Sequence, residues 1–353
     1  MQPQQITRWG VLVLAVGVAL LAVIALERLR QSVDRSGLMI GTTPATLYTQ
    51  TDAAPAPLVV LAHGFAGSRQ FMEAFALTLA GAGYPVLSYD LQGHGRNPQP
   101  MSADVTQIDG TTRALMDELS AVIEAGKALP QVSGGVALLG HSMATDVIIR
   151  EALRNSAIDG VVAVSMYSQA ITASEPPRLL ILSGEWEPHL REFARSAVQR
   201  VEPEAPEGQT VTKEGIWRRA IFAPNTEHVG VLYSATSLTE ARDFLDQTFG
   251  RSSAAPVASA YGRWVAILLV SVFVAAWPIL SLTGPVKARQ PGLDPECLAA
   301  ACAGCGLSFY SLRPLWSDSA GLVVWMRSPA GARSDLARDP SVGCWFGAFR
   351  RRT

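Results

Sequence analysis

The chain has 353 residues, a formal net charge of −1 and only 17% charged residues. So even a balance excludes a general polyanion-binding role, and no nucleic-acid partner is expected. The length allows one large domain or two moderate ones, and the positive mean hydropathy points to apolar segments beyond an ordinary core.

The first such segment comes after an eight-residue flank. Trp9 to Leu26 reads WGVLVLAVGVALLAVIAL, 18 residues without a charge, which as a helix covers about 27 Å at 1.5 Å per residue. A cleaved signal peptide is the rival reading, because Arg8 precedes an apolar stretch. An uncleaved anchor fits better: no A-x-A site comes after it, and the next residues are Glu27-Arg28-Leu29-Arg30. Residues 27–37 read as a linker.

From 38 to 250 the pattern alternates between short apolar strands and helices. Leu58 to Ala62 is a buried strand ending at His63-Gly64. A helical face with Phe71, Phe75, Ala76 and Leu79 comes next, stopped by Gly81 and Gly83. Pro85 to Asp90 is the next strand. Residues 104–127 predict a long helix with Leu115, Leu119, Val122 and Ile123 on one side. Val136 to Leu139 is a strand, Gly140-His141-Ser142-Met143-Ala144 a sharp turn with serine at its apex, and Thr145 to Ile149 the start of a helix. Val161–Val164, Leu179–Leu182 and Trp217–Ala223 are further strands, and Leu238–Phe249 is a helix closed by Gly250. Such alternation means a mostly parallel sheet covered by helices on both faces.

A second linker, 251–263, leads to a second apolar run. Trp264 to Leu282 has 19 uncharged residues, aromatic residues near both ends, and Pro278 towards its far side. Two spans would place both ends of the chain on one side of a membrane. The side of the central region is set by conflicting rules. Arg28, Arg30 and Arg35 after the first span favour the cytoplasm, whereas an N-terminal signal-anchor more usually exports the chain beyond it. The expectation leans to export.

Three motifs, each placed after a strand and in this order, carry a resemblance. They are His63-Gly64-Phe65-Ala66-Gly67-Ser68, Asp90-Leu91-Gln92-Gly93-His94-Gly95-Arg96, and Gly140 to Ala144. Residues 38–250 resemble an α/β-hydrolase, whose H-G-x loop, D-x-x-G-x-G loop and G-x-S-x-G nucleophile elbow come after its third, fourth and fifth strands. Ala144 stands where the elbow usually has its second glycine. The resemblance implies an α/β fold with a serine nucleophile, Ser142, and a membrane-anchored ester, thioester or amide hydrolase working through an acyl-enzyme. An aspartate at the elbow would have implied the family's dehalogenases or epoxide hydrolases instead.

Of the five histidines, His63, His94 and His141 sit in the motif loops and His189 comes too early. His228, in the loop after the last expected strand, is the candidate base. The resemblance puts the acid in Gly184-Glu185-Trp186-Glu187-Pro188. Glu187 takes that position, and Glu185 is the alternative if the turn is shifted by two. The oxyanion hole is expected from the backbone N–H groups of Phe65 and Met143. Only about a dozen residues separate the strand ending near Val164 from Arg178, too few for a large lid. No cofactor or metal is implied. The expected partners are a small or lipid-like acyl substrate and the bilayer. An acyltransferase on the same scaffold and a non-catalytic membrane scaffold are the competing readings.

The tail, 283–353, has little periodicity. It holds all four cysteines, Cys297, Cys302, Cys305 and Cys344. The C-x4-C-x2-C spacing resembles plant-type [2Fe–2S] ferredoxins, but no strand-rich framework surrounds it, and free cysteines are the expectation over such a cluster or a zinc site. A frame-shifted reading frame would also give so patternless a tail.

Overall fold

The computed structural model of the chain describes residues 3–31, 33–101 and 108–282. The tail with its four cysteines lies outside the described residues. The apolar helices and the α/β domain belong to one compact unit, Met1–Val286.

Among the described residues nine strands form one sheet: β1 (Val33–Ile40), β2 (Thr43–Gln50), β3 (Ala56–Ala62), β4 (Val86–Tyr89), β5 (Val132–His141), β6 (Ile158–Val164), β7 (Arg178–Gly184), β8 (Thr210–Lys213) and β9 (Ile216–Ala223). Their spatial order is β1-β2-β4-β3-β5-β6-β7-β9-β8. The six strands from β4 to β9 in that order run parallel, while β1, β2 and β8 pair antiparallel at the edges. Parallel strands need crossovers, and helices α2 (Glu73–Gly81), α3 (Arg113–Lys127), α4 (Met143–Arg154) and α5 (Pro188–Gln199) lie in most of them, while α6 (Ala235–Phe249) follows the last strand and packs back on the sheet.

The period-two geometry of a strand divides the core. Leu58, Val60, Val136 and Leu138 point to the face covered by α3, α4 and α5. Val59, Leu61, Ala137 and Leu139 point to the face covered by α2 and α6. Because both faces are buried, the strands read as unbroken apolar runs rather than as alternation. Leu115, Leu119, Val122 and Ile123 of α3 are all buried.

Several expected boundaries are corrected. The first apolar helix, α1, spans Pro3–Arg30 rather than 9–26. Residues 27–37 are not a linker: they hold the end of α1 and the start of β1. The regular part of the helix expected over 104–127 begins at Arg113, after an irregular helical segment, Ile108–Thr112. Phe71 lies in a single 3₁₀ turn, Arg69–Met72, and is exposed rather than on a core face. The second apolar helix, α7 (Ala260–Leu282), takes up the last residues of the expected linker 251–263.

Helices α1 and α7 are each long and apolar enough to cross a membrane. They pack on each other and meet the domain at one charged junction. Glu73, which opens α2, is buried, yet it carries a carboxylate. Arg30 donates to it from Nε and Nη2, both at 2.9 Å. The Tyr261 hydroxyl donates to the same carboxylate at 2.6 Å. Replacing Glu73 with Ala removes two charge-assisted bonds of Arg30 and the acceptor of the Tyr261 hydroxyl, and leaves Arg30 its exposed contact with Glu27 at 2.6 Å; losing hydrogen bonds to a charged group costs about 1.5–3 kcal/mol. Thermal unfolding of the full chain in detergent should show a clearly lower Tm for Glu73→Ala, and an unchanged Tm would contradict this role for the junction.

Candidate active site

The last residue of β5 is His141 and the first of α4 is Met143, so Ser142 alone makes the turn between them. Its φ of 54° and ψ of −119° are a conformation L-residues rarely adopt, costing about 1–3 kcal/mol and persisting only where the surroundings enforce it. Here they do. The Ser142 N–H donates to the Val164 carbonyl at 2.9 Å. The Thr145 hydroxyl and N–H donate to the Ser142 carbonyl at 2.6 and 2.9 Å. A Cβ on Gly140 would lie 2.9 Å from Ile148 Cδ1 and 3.0 Å from the Ala144 carbonyl oxygen, so glycine is required there. Ala144 already lies within α4 and is fully buried, and its methyl group fits in the core. The departure from the usual second glycine therefore strains nothing.

Five loops at strand ends meet around the serine. His228, after β9, directs Nε2 to Ser142 Oγ at 2.9 Å. Its Nδ1 faces Glu187 Oε1 at 2.6 Å. Glu187, after β7, is buried, and its second oxygen accepts from the Ser165 hydroxyl at 2.8 Å and the Gly184 N–H at 2.5 Å. Glu185 lies elsewhere: it is exposed and accepts from the Asn225 N–H at 2.8 Å. Burial pushes the Glu187 carboxyl up, but hydrogen bonds from His228, Gly184 and Ser165 outweigh it and hold the group below its ordinary range. The His228 imidazole is raised above its ordinary value, chiefly by the bond to Glu187 and against burial.

The other motif histidines take structural places. His141 Nε2 donates to the His228 carbonyl at 2.9 Å, so it holds the loop that carries His228. Burial lowers its pKa to about 4, which keeps it neutral. His63 Nδ1 donates to the Gly64 carbonyl, and Nε2 accepts from the Leu91 N–H at 3.1 Å, joining the loops after β3 and β4. Burial likewise brings its pKa to about 4. Asp90 is fully buried and accepts from the Arg69 and Arg96 N–H groups at 2.8 and 2.9 Å and from the Arg69 guanidinium.

Phe65 and Met143 lie on either side of the serine. Met143 opens α4, so its N–H belongs to the first turn, where donors have no intrahelical acceptor. The Phe65 N–H has no acceptor among the described residues. A Cβ on Gly64 would lie 2.9 Å from His141 Nδ1 and 3.0 Å from Ser142 Cβ, so only glycine lets this loop approach the serine so closely. Two backbone donors beside a half-buried serine that lines a cavity suit an oxygen that gains negative charge.

Beside Ser142 a cavity of about 820 Å³ opens, walled by Phe65, Leu115, Met143, Val147 and Tyr167 among others. Residues 165–177, between β6 and β7, form a short connection without a helix, as the loop length implied. Sequence reasoning missed Ser165, since nothing in a lone serine after a strand marks it as a carboxylate partner. The cavity walls from α3 and α4 were also missed, because their residues read as ordinary helix.

Residues 53–209 match the family described as Serine aminopeptidase, S33. No curated protein matches the chain. Among solved structures, the chain is 14% identical to a dienelactone hydrolase from Anabaena variabilis, with a TM-score of 0.46 over 62% of this chain and 98% of that one. A predicted CIB-like hydrolase from Thermoplasma acidophilum is 15% identical, with a TM-score of 0.46 over 61% and 98%. Est1E from Butyrivibrio proteoclasticus is 13% identical, with a TM-score of 0.44 over 62% and 99%. Likeness at these levels says nothing of substrate or mechanism.

Proposed function

The chain belongs to the α/β-hydrolases, and on that premise we propose that it is a membrane-anchored serine hydrolase acting on an ester, thioester or amide. The observation that carries this reading is the unbroken hydrogen-bonded line from Glu187 through His228 to Ser142 Oγ. In the proposed reaction Ser142 Oγ attacks the substrate carbonyl while His228 Nε2 takes its proton. Negative charge on the carbonyl oxygen is met by the N–H groups of Phe65 and Met143. The C–O, C–S or C–N bond then breaks, and His228 returns the proton to the leaving group. Water, activated by the same imidazole, attacks the acyl-enzyme and restores the serine. Glu187 fixes the ring with its proton on Nδ1 and stabilises the imidazolium.

Two features support a lipid-like acyl substrate at a membrane. Helices α1 and α7 present apolar outer faces of membrane-spanning length. Around the catalytic mouth, Phe65, Tyr167, Trp186 and Val229 remain 65, 53, 61 and 40% exposed on four different loops, an apolar aromatic rim of the kind suited to a water–lipid boundary. A panel of p-nitrophenyl esters of varied acyl length, assayed on the full chain in detergent, tests the reading. Hydrolysis that depends on Ser142 supports it, and a folded protein inert towards the whole panel contradicts it. Adding alcohol or amine acceptors to the same assay separates hydrolysis from acyl transfer.

Rate should also depend on pH through His228, which acts only when neutral. Because its folded pKa is raised, the neutral fraction is lost as pH falls through a value above the ordinary 6.5. The kcat/KM profile is therefore expected to rise with pH to half its plateau above 6.5. A midpoint well below that value would mean that Glu187 does not support the imidazole.

A further inference from the structure

The cavity beside Ser142 contains an arginine whose donors are mostly unused. Arg150 lies on the face of α4 that also brings Met143, Asp146 and Val147 to the cavity wall. Its Nε donates to Asp146 Oδ2 at 2.7 Å. The other oxygen of Asp146 accepts from the Ser168 hydroxyl at 2.6 Å. Nη1 and Nη2 of Arg150 have no acceptor among the described residues. Other arginines of the domain differ. Arg154 commits Nε, Nη1 and Nη2 to Glu151, Asp117 and Ser120. Arg219 commits all three nitrogens to Glu240, Gly208 and Thr210.

A guanidinium has five N–H donors in a fixed planar fork. One is taken here, and the edge left open, Nη1 with Nη2, is suited to bidentate contact with a carboxylate or phosphate. Asp146 offsets part of the Arg150 charge but takes only its Nε donor, so the two Nη nitrogens stay open to a second acceptor. The side chain of Arg150 is only 21% exposed, so an anion there would meet less water than on the open surface, where charge pairs are worth little.

We propose that Arg150 binds a negatively charged group, carboxylate or phosphate, on the same acyl substrate whose carbonyl is presented to Ser142. This rests on the hydrolase reading and narrows it to anionic amphiphilic esters. Spacing agrees with one molecule reaching both points. Side chains on a helix lean towards its N-terminus, here towards Ser142, and the bond to Asp146 draws the guanidinium the same way. Asp146 and Arg150 lie four and eight residues beyond the serine, or about 6 and 12 Å along the helix axis. The anion and the scissile carbonyl are thus separated by a spacer of several bonds, lying along an otherwise mostly apolar wall.

The charge could sit on the acyl group or on the leaving group, and two substrate pairs distinguish these. The first compares mono-4-nitrophenyl adipate with 4-nitrophenyl hexanoate. The second compares a 1-acylglycerol 3-phosphate with the matching 1-acylglycerol. For each pair the ratio of kcat/KM, anionic over neutral, is measured on the full chain in detergent. Arg150→Met is expected to lower that ratio about ten- to hundredfold in at least one pair, mostly through KM, as loss of a charge-assisted contact implies. Arg150→Lys should retain part of it. A purely structural pair with Asp146 would change all four substrates alike, because it does not sense substrate charge. Equal ratios in wild type and Arg150→Met for both pairs overturn the proposal. Wild type that cleaves none of the four esters overturns the hydrolase reading itself, and this proposal with it.

Discussion

Ser142→Ala and His228→Ala are each expected to lower kcat by about six orders of magnitude, and the double variant to be no worse than either alone. The reason lies in the shared hydrogen bond. A serine hydroxyl is almost unreactive at neutral pH, and its nucleophilicity depends on delivering its proton to His228 Nε2, 2.9 Å away. Removing either partner removes the whole route. What remains is binding and the backbone donors of Phe65 and Met143, which should keep some rate over water. Steady-state hydrolysis of one activated ester by the three variants checks this. Losses that multiply in the double variant would mean that the two residues act separately.

Glu187→Gln should cost about four orders of magnitude in kcat, judging from the same change in other serine triads. An amide at this position can donate to Nδ1, which favours the tautomer with the proton on Nε2, where it cannot accept from serine. Glu185→Gln should have a small effect, because Glu185 reaches only the Asn225 backbone. If Glu185→Gln proved the crippling change and Glu187→Gln the mild one, the acid would have been misassigned. In Glu187→Gln the residual rate should also lose its acid limb above pH 6.5, since the first cause of the raised His228 pKa is gone.

The parallel part of the fold was legible because burial on both faces turns each strand into an apolar run with sharp ends. β3, β5, β6 and β7 stand out for that reason. β1 and β2 did not. β1 is an edge strand with Asp34, Arg35, Ser36 and Gly37 facing mostly outward, and only Val33 is buried, so it has neither the apolar run nor the alternation that would mark it. β8 has four residues, with two of them exposed. Their pairing is a tertiary fact, imposed by the neighbouring strand. The extension of α1 to Arg30 was hidden by Glu27 and Arg28, which look like the end of an apolar helix. Glu27 instead belongs to the junction where the helix meets the domain, pairing with Arg30 and Arg35, and Arg30 reaches Glu73 there.

At the site, residue types with rare backbone needs were the readable ones. Ser142 and Gly64 carry conformational or spatial demands that restrict what can stand beside them, and loops of that kind leave a pattern in the sequence. Ser165 and the His141 contact with the His228 carbonyl leave none, because a hydroxyl or imidazole within reach of a neighbour depends on how distant strands line up. Arg150 shows the same limit. On the sequence it is one half of an i, i+4 pair with Asp146, of a kind common on exposed helices. Its open edge becomes visible only once the helix is seen to wall the cavity.

The proposed chemistry depends throughout on Ser142 being an activated nucleophile. The most direct measurement is reaction of the full chain, in detergent, with a fluorophosphonate probe, and peptide mass spectrometry to locate the adduct. The account predicts a single phosphonylated residue, Ser142, formed in wild type and absent from Ser142→Ala and His228→Ala. A folded wild-type chain that takes no label, or takes it on another serine, would contradict it.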